Sequence, residues 1–138
     1  MAVVAANVDE AVAGIADGST ILIGGFGTAG QPVELIDALI RSGAKDLTVV
    51  NNNAGNGRIG LAALFANGPV RKIICSFPRQ ADSYVFDELY RAGKVELELV
   101  PQGNFGRTTT GGRGRHRCVL LPYWRRDTAR RREGTANY

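Results

Sequence analysis

Short apolar runs alternate with helix-period stretches through the first hundred residues. Thr20 to Ile23, Leu47 to Val50 and Lys72 to Ser76 are brief apolar segments bounded by turn residues, the form taken by strands covered on both faces. Val95 to Val100 alternates with Glu96 and Glu98, which predicts a partly exposed strand near a sheet edge. Between the strands the period changes. Val8, Ala11, Val12 and Ile15 follow an Asn7 cap with Glu10 three positions on, predicting a helix that ends near Asp17 and Gly18. Val33, Leu35, Ile36, Leu39 and Ile40 predict a second helix closed by Gly43. A short third helix runs from Ile59 to Phe65, stopped at Asn67-Gly68-Pro69, and a fourth begins at an Asp82 or Ser83 cap with Tyr84, Phe86, Leu89 and Tyr90 on its apolar face. Four strands with intervening helices predict an α/β fold: an open, doubly wound, mostly parallel sheet, incomplete at its C-terminal end.

The first strand runs into Gly24, Gly25, Phe26, Gly27 and Gly30, and Pro32 then presets the first turn of the next helix. Four glycines in seven positions let backbone N–H groups approach an anion or an acyl oxygen. Gly25, Gly27 and Gly30 also satisfy G-x-G-x-x-G, a dinucleotide fingerprint whose supporting acidic residue should close the next strand. That strand closes instead on Asn51, Asn52 and Asn53, and neutral amides argue against ribose recognition. The carboxyl ends of the strands put Gly24 to Gly30, Asn51 to Asn53, Ser76-Phe77 and Gln102 on one rim, where open α/β sheets bind ligands.

A length of 138 residues suits one domain, and 44% hydrophobic with 22% charged residues reads as a soluble globular chain. No apolar stretch is long enough for a membrane span and MAVVAAN lacks the basic start of a secretory signal, so a cytoplasmic location is expected. Cys75 and Cys118 alone cannot make a metal site or a disulfide framework; Cys75, inside an apolar strand, reads as a small core residue. No metal is expected. The charge divides the chain: residues 1–106 hold eight Lys and Arg against eleven Asp and Glu, whereas residues 107–138 hold nine Arg, no Lys and two acids. That break separates a domain of residues 1–106 from an anomalous Arg-rich tail, 107–138, expected to be disordered.

The run DGSTILIGGFGTAGQP, then NNNAGNG (51–57), GLAALFANGPVRKIICSFPRQ (60–80) and SYVFDELYRAGKVELELVPQGN (83–104), resembles the A (alpha) subunit of 3-oxoacid coenzyme A transferases, the group with succinyl-CoA:3-ketoacid and 3-oxoadipate CoA-transferases. The resemblance covers three quarters of the chain and stops after Phe105. It implies CoA transfer from succinyl-CoA to a 3-oxo acid, acetoacetate or 3-oxoadipate. A glutamate carboxylate attacks the acyl-CoA, and an acyl-glutamyl anhydride gives way to a glutamyl-CoA thioester, which hands CoA to the second acid; each tetrahedral intermediate is an oxyanion needing fixed donors. In the family that glutamate stands in a Ser-Glu-Asn-Gly motif of the B subunit, and this sequence lacks the motif. The implied partners are thus the acyl-CoA and 3-oxo acid substrates together with a CoA-transferase B subunit, with coenzyme A as substrate and no resident cofactor. Gln102 matches the family's PQG glutamine, an oxyanion donor; Asn51 and Asn52 match the family's paired asparagines beside the carboxylate substrate, and Gly24, Gly25, Phe26, Gly27 and Gly30 are expected to bind substrate with them. Arg79 and Lys72 can attract an acidic substrate, although solvation is the commoner fate of surface cations.

The tail admits another class of function. Clustered Arg with Tyr123 and Trp124 suits phosphate contacts and base stacking, so a nucleotide- or nucleic-acid-binding domain with a basic tail is the alternative. The genetic code offers a better account. Codons exist for His116 to Glu133 that, read from their second base, give IGAFFCPTGVGTLLAEG, which resembles what the family carries after PQGN. The expectation is an alpha subunit whose frame shifts after about Phe105 and ends early, inactive alone and with no selected nucleic-acid binding.

Overall fold

The computed structural model describes residues 4–102 and the backbone of the strand Cys118–Leu121. Its elements follow in the order α1 (Val8–Val12), β1 (Thr20–Ile23), α2 (Val33–Ser42), β2 (Leu47–Val50), α3 (Leu61–Ala66), β3 (Val70–Cys75), α4 (Tyr84–Arg91), β4 (Glu96–Leu99) and β5 (Cys118–Leu121). All strand pairs are parallel and the sheet order is β4-β3-β2-β1-β5. The three steps from β1 to β4 go in one direction, so right-handed crossovers place α2, α3 and α4 on one face. The register rows follow. Ile21, Val49 and Ile73 are neighbours across the sheet and wholly buried, with Leu97 partly buried at the end of the row. On the opposite face Leu22, Val50, Ile74 and Glu98 form a row that becomes exposed towards the β4 edge. The edge position expected for β4 is borne out.

Local signals set most of the boundaries. Gly43 ends α2 with φ 76, a left-handed cap that a side chain would strain. Asn7 caps α1 by accepting from Glu10 N at 2.8 Å, but Glu10 reaches back to Ala6 N at 2.7 Å, one residue before the cap. The helix stops at Val12, short of the expected Asp17, because Gly14 follows and the chain turns through an Ile15 N to Val12 O bond of 3.0 Å. Ser83 precedes α4 without capping it: its one hydroxyl proton is shared between Gly55 O at 3.0 Å and Asn56 Oδ1 at 3.1 Å, and the oxygen accepts from Gln80 N at 3.0 Å. The buried face of α4 is Phe86 with Val85 and Leu89, while Tyr84 and Tyr90 are each 43% exposed, which corrects the expected face. Phe86 meets Phe65 of α3 edge-on, with centroids 5.9 Å apart, and stacks on Tyr90 at 5.7 Å.

The largest departure from the sequence reading is β5. The tail was expected to contain no regular element, yet Cys118–Leu121 pairs along all four residues of β1. Four consecutive apolar residues make an interior-length strand, and without them β1 would present an unpaired edge. The expected domain break otherwise falls outside the described residues. Lys72 and Arg79 are not free cations: Lys72 pairs with Glu98 at 2.6 Å and Glu96 at 3.2 Å, and Arg79 with Asp87 at 2.7 Å. The hydrogen bond to Glu98, with Glu96 beside it, raises the Lys72 pKa. A raised lysine pKa means that the pair's contribution is complete at neutral pH and is lost only as pH climbs through the folded-state value, above the ordinary 10.5.

Cys75 is fully buried in β3, as expected, and burial pushes its thiol up to about 12. The thiolate is the reactive form. Iodoacetamide at pH 8 should therefore leave Cys75 unmodified in the folded chain and alkylate it after urea unfolding, as read by peptide mass mapping; equal labelling in both states would contradict its burial.

Candidate functional site

The sheet order reverses at β1, which has β2 on one side and the late-arriving β5 on the other. Such a switch point opens a crevice at the carboxyl ends of the strands, and the glycine loop leaves β1 at that point. Phe26 and Ala29 close the loop into a tight hairpin through Phe26 N to Ala29 O, 2.9 Å, and Ala29 N to Phe26 O, 3.1 Å. Gly27, the first turn residue, has φ 62, and Phe26 projects outward, 62% exposed. At Gly25, φ 120, a Cβ would lie 2.8 Å from Gln31 Cγ, so only glycine fits.

The loop's carbonyls are held from inside the protein. Asn51 Nδ2 donates to Ile23 O at 2.6 Å and to Gly24 O at 3.3 Å, and its Oδ1 accepts from Asn53 N at 2.9 Å. Asn53 Nδ2 donates to Gly27 O at 3.3 Å while its Oδ1 accepts from Gly55 N at 2.8 Å. Both side chains are buried, with the amide oxygen and nitrogen of each hydrogen-bonded. Asn52 differs. Its backbone oxygen accepts from Ser76 N and Phe77 N, tying β2 to β3, but its Oδ1 is buried with no hydrogen-bond partner among the described residues. A buried acceptor left unpaired costs about 1–3 kcal/mol, which a donor brought by a ligand would recover.

The structure thus brings Gly24, Gly25, Phe26, Gly27, Gly30, Asn51 and Asn52 together where β1 and β2 end, with Asn51 beneath the loop and Asn52 holding a buried acceptor unpaired among the described residues. Gln102 is on the same rim but not in the same cluster. It follows β4, three strand spacings or about 14 Å from β1 in the sheet direction. Its side chain is exposed, and the chain is pinned two residues earlier by Val100 N to Cys75 O at 3.0 Å and Ser76 Oγ to Val100 O at 2.7 Å. Residues that the sequence reading did not single out also belong here, beside Asn53, which it placed on the rim. Gln31, Asn56 and Gln80 all border the loop: Gln31 donates to Gly27 O at 2.6 Å, and Asn56 donates to Gln80 Oε1 beside Gly27. A cluster of polar amides between apolar strand ends was the available signal. Among the described residues no group of three or more His, Cys, Asp or Glu could hold a metal, and no helix is long and apolar enough to cross a membrane.

Residues 5–117 match the family model described as Coenzyme A transferase. The chain belongs to the coenzyme A transferase family. It is 68% identical over 109 residues to the alpha (A) polypeptide of the 3-oxoadipate CoA-transferase of Pseudomonas putida, an alignment covering 78% of this chain and 47% of that protein. It is 45% identical over 106 residues to the mitochondrial succinyl-CoA:3-ketoacid coenzyme A transferase 2 of Homo sapiens, covering 76% and 20% of the two. Among solved structures it resembles glutaconate coenzyme A-transferase from Acidaminococcus fermentans, with a TM-score of 0.59 and 25% identity over 70% of this chain and 31% of that one. This coenzyme A transferase chain spans about half the length of the 3-oxoadipate CoA-transferase relatives it matches.

Proposed function

We propose that the chain is the rim-bearing portion of a CoA-transferase alpha subunit which, completed and joined to a B subunit in the cytoplasm, moves CoA from succinyl-CoA to 3-oxoadipate. The observation that carries this reading is the gap between 68% identity to a relative named for 3-oxoadipate and 45% to one named for 3-ketoacids. Acetoacetate is the second candidate acceptor. In the proposed division of labour the B subunit supplies the nucleophilic glutamate. Its carboxylate adds to the thioester carbonyl, CoA thiolate leaves to give the anhydride, and the thiolate then attacks the glutamyl carbonyl to release succinate and form the enzyme thioester. The 3-oxo acid carboxylate reverses these steps. The alpha subunit contributes donors: Gln102 to the oxyanion, and the N–H groups of the glycine loop with the Asn52 amide nitrogen to the acid. The loop N–H groups that have no partner among the described residues favour this over the nucleic-acid alternative, which finds no support in the relatives.

The out-of-frame origin of the tail remains part of the proposal, and the nucleotide sequence around the Phe105 codon tests it. For the reaction, the chain alone, incubated with succinyl-CoA and either acid, should form no 3-oxoacyl-CoA above background because it lacks the nucleophile. Clear turnover without a B subunit would refute the division of roles.

A further inference from the structure

The amide of Gln31 joins two parts of the rim that are far apart in sequence. Its Nε2 donates to Gly27 O at 2.6 Å, and its Oε1 accepts from Leu61 N at 3.1 Å, at the first residue of α3. The side chain is 6% exposed, so neither bond is easily replaced by water. Two glycines are shaped around it. A Cβ on Gly25 would meet Gln31 Cγ, a Cβ on Gly60 would collide with Gln31 Oε1, and the two have φ 120 and 58. Gly27 O is held by Gln31 and Asn53, and Ile23 O and Gly24 O by Asn51, so these carbonyls of the loop are occupied from within the protein. The N–H groups of Gly25, Gly27, Thr28 and Gly30 have no partner among the described residues.

We infer that Gln31 is a positioning residue: its amide fixes the arc of the glycine loop against α3 so that the loop's free N–H groups are presented to a carboxylate of the acid substrate. The carboxylate part rests on the function proposed above; the loop-setting part does not.

The test uses the whole chain, labelled with 15N, and reads the loop with and without ligand. Gln31→Leu removes both hydrogen bonds at similar volume. Gln31→Glu keeps the acceptor for Leu61 N and regains a donor for Gly27 O only when its carboxyl is protonated, a form that burial favours. In the ligand-free chain, Gln31→Leu should shift the amide resonances of Gly25, Gly27 and Thr28 and speed hydrogen exchange of the neighbouring Phe26 and Ala29 amides roughly tenfold, with core amides such as Val49 unmoved. Gln31→Glu should show the same loop signature at pH 8 and return towards the parental spectrum as the pH is lowered to about 5.5, a reversal that a space-filling role would not produce. Succinate, as the probe, should move the Gly25, Gly27 and Thr28 amides of the parent and bind at least about tenfold more weakly to Gln31→Leu. Loop resonances that stay parental in both variants, with no pH dependence, overturn the inference. If Gln31→Leu fails to fold, the pH series of Gln31→Glu decides alone. If the parent ignores succinate, the carboxylate role fails, while the ligand-free spectra still judge whether Gln31 sets the loop.

Discussion

Gln102→Ala, placed in a full-length alpha subunit paired with its B subunit, is expected to lower kcat by about 10² to 10³ while leaving the KM for the acid nearly unchanged. The size is that of a lost oxyanion donor, about 2.7–4 kcal/mol of transition-state stabilisation. The split between kcat and KM follows from where charge appears: the tetrahedral intermediate carries an oxyanion that the ground-state thioester lacks, so a donor aimed at it acts on the chemical step. The position suits such a role. The chain is anchored immediately before Gln102, at Val100 N and Val100 O, and the side chain itself is exposed on the carboxyl rim, open to a partner subunit. Glutamine substituted by glutamate should be no better than alanine, since a carboxylate there repels the oxyanion. Steady-state kinetics on both variants checks this, and wild-type kcat in Gln102→Ala would make Gln102 only the residue that ends β4.

The strands and the glycine loop were legible because their causes are local. A four-residue apolar run such as Leu47–Val50 is buried at all four positions, and Gly43 at the end of α2 has the conformation that its place in the sequence implies. The braces under the loop were not legible, because each acts across a long separation. Asn51 looks like a loop residue until Ile23 O and Gly24 O, on a different strand, are found against it. Gln31 looks like any polar residue before a helix-starting proline; its meaning lies in Leu61 and Gly60. Ser83 misled for the same reason, its hydroxyl being drawn to Gly55 and Asn56 rather than to its own helix.

The fifth strand marks another limit. Arg density suggested a tail unable to form structure, and density is an average that hides a short apolar run. Cys118 to Leu121 is apolar in the given frame, and the codons that yield the family-like stretch read Ala-Phe-Phe-Cys there in the shifted frame. Pyrimidine-rich middle positions give apolar residues in both. On the frameshift reading, a strand-forming segment therefore survives the change of frame even though the composition around it does not.

Asn51→Leu should destabilise the chain by about 3 kcal/mol, because it leaves Ile23 O, Gly24 O and Asn53 N unpaired in a buried setting where each such group costs about 1–3 kcal/mol. The side chain is 2% exposed, so water cannot easily substitute; leucine keeps the branched shape and leaves no cavity, and the bulk of its methyls adds to the loss. The neighbouring position gives the control. Asn52→Ala removes a buried oxygen that has no partner among the described residues, and should leave stability unchanged or raise it by about 1 kcal/mol. Urea unfolding of the three chains, at equal m-values, measures the difference directly. The contrast also separates two residues that the sequence assigned alike: Asn51, whose amide braces β1 and β2, and Asn52, whose buried amide oxygen has no partner among the described residues. If Asn51→Leu unfolds at the parental urea midpoint, its amide is not bracing the loop and is free to face the substrate, and the inward pull on the loop's carbonyls must come from Gln31 and Asn53 alone.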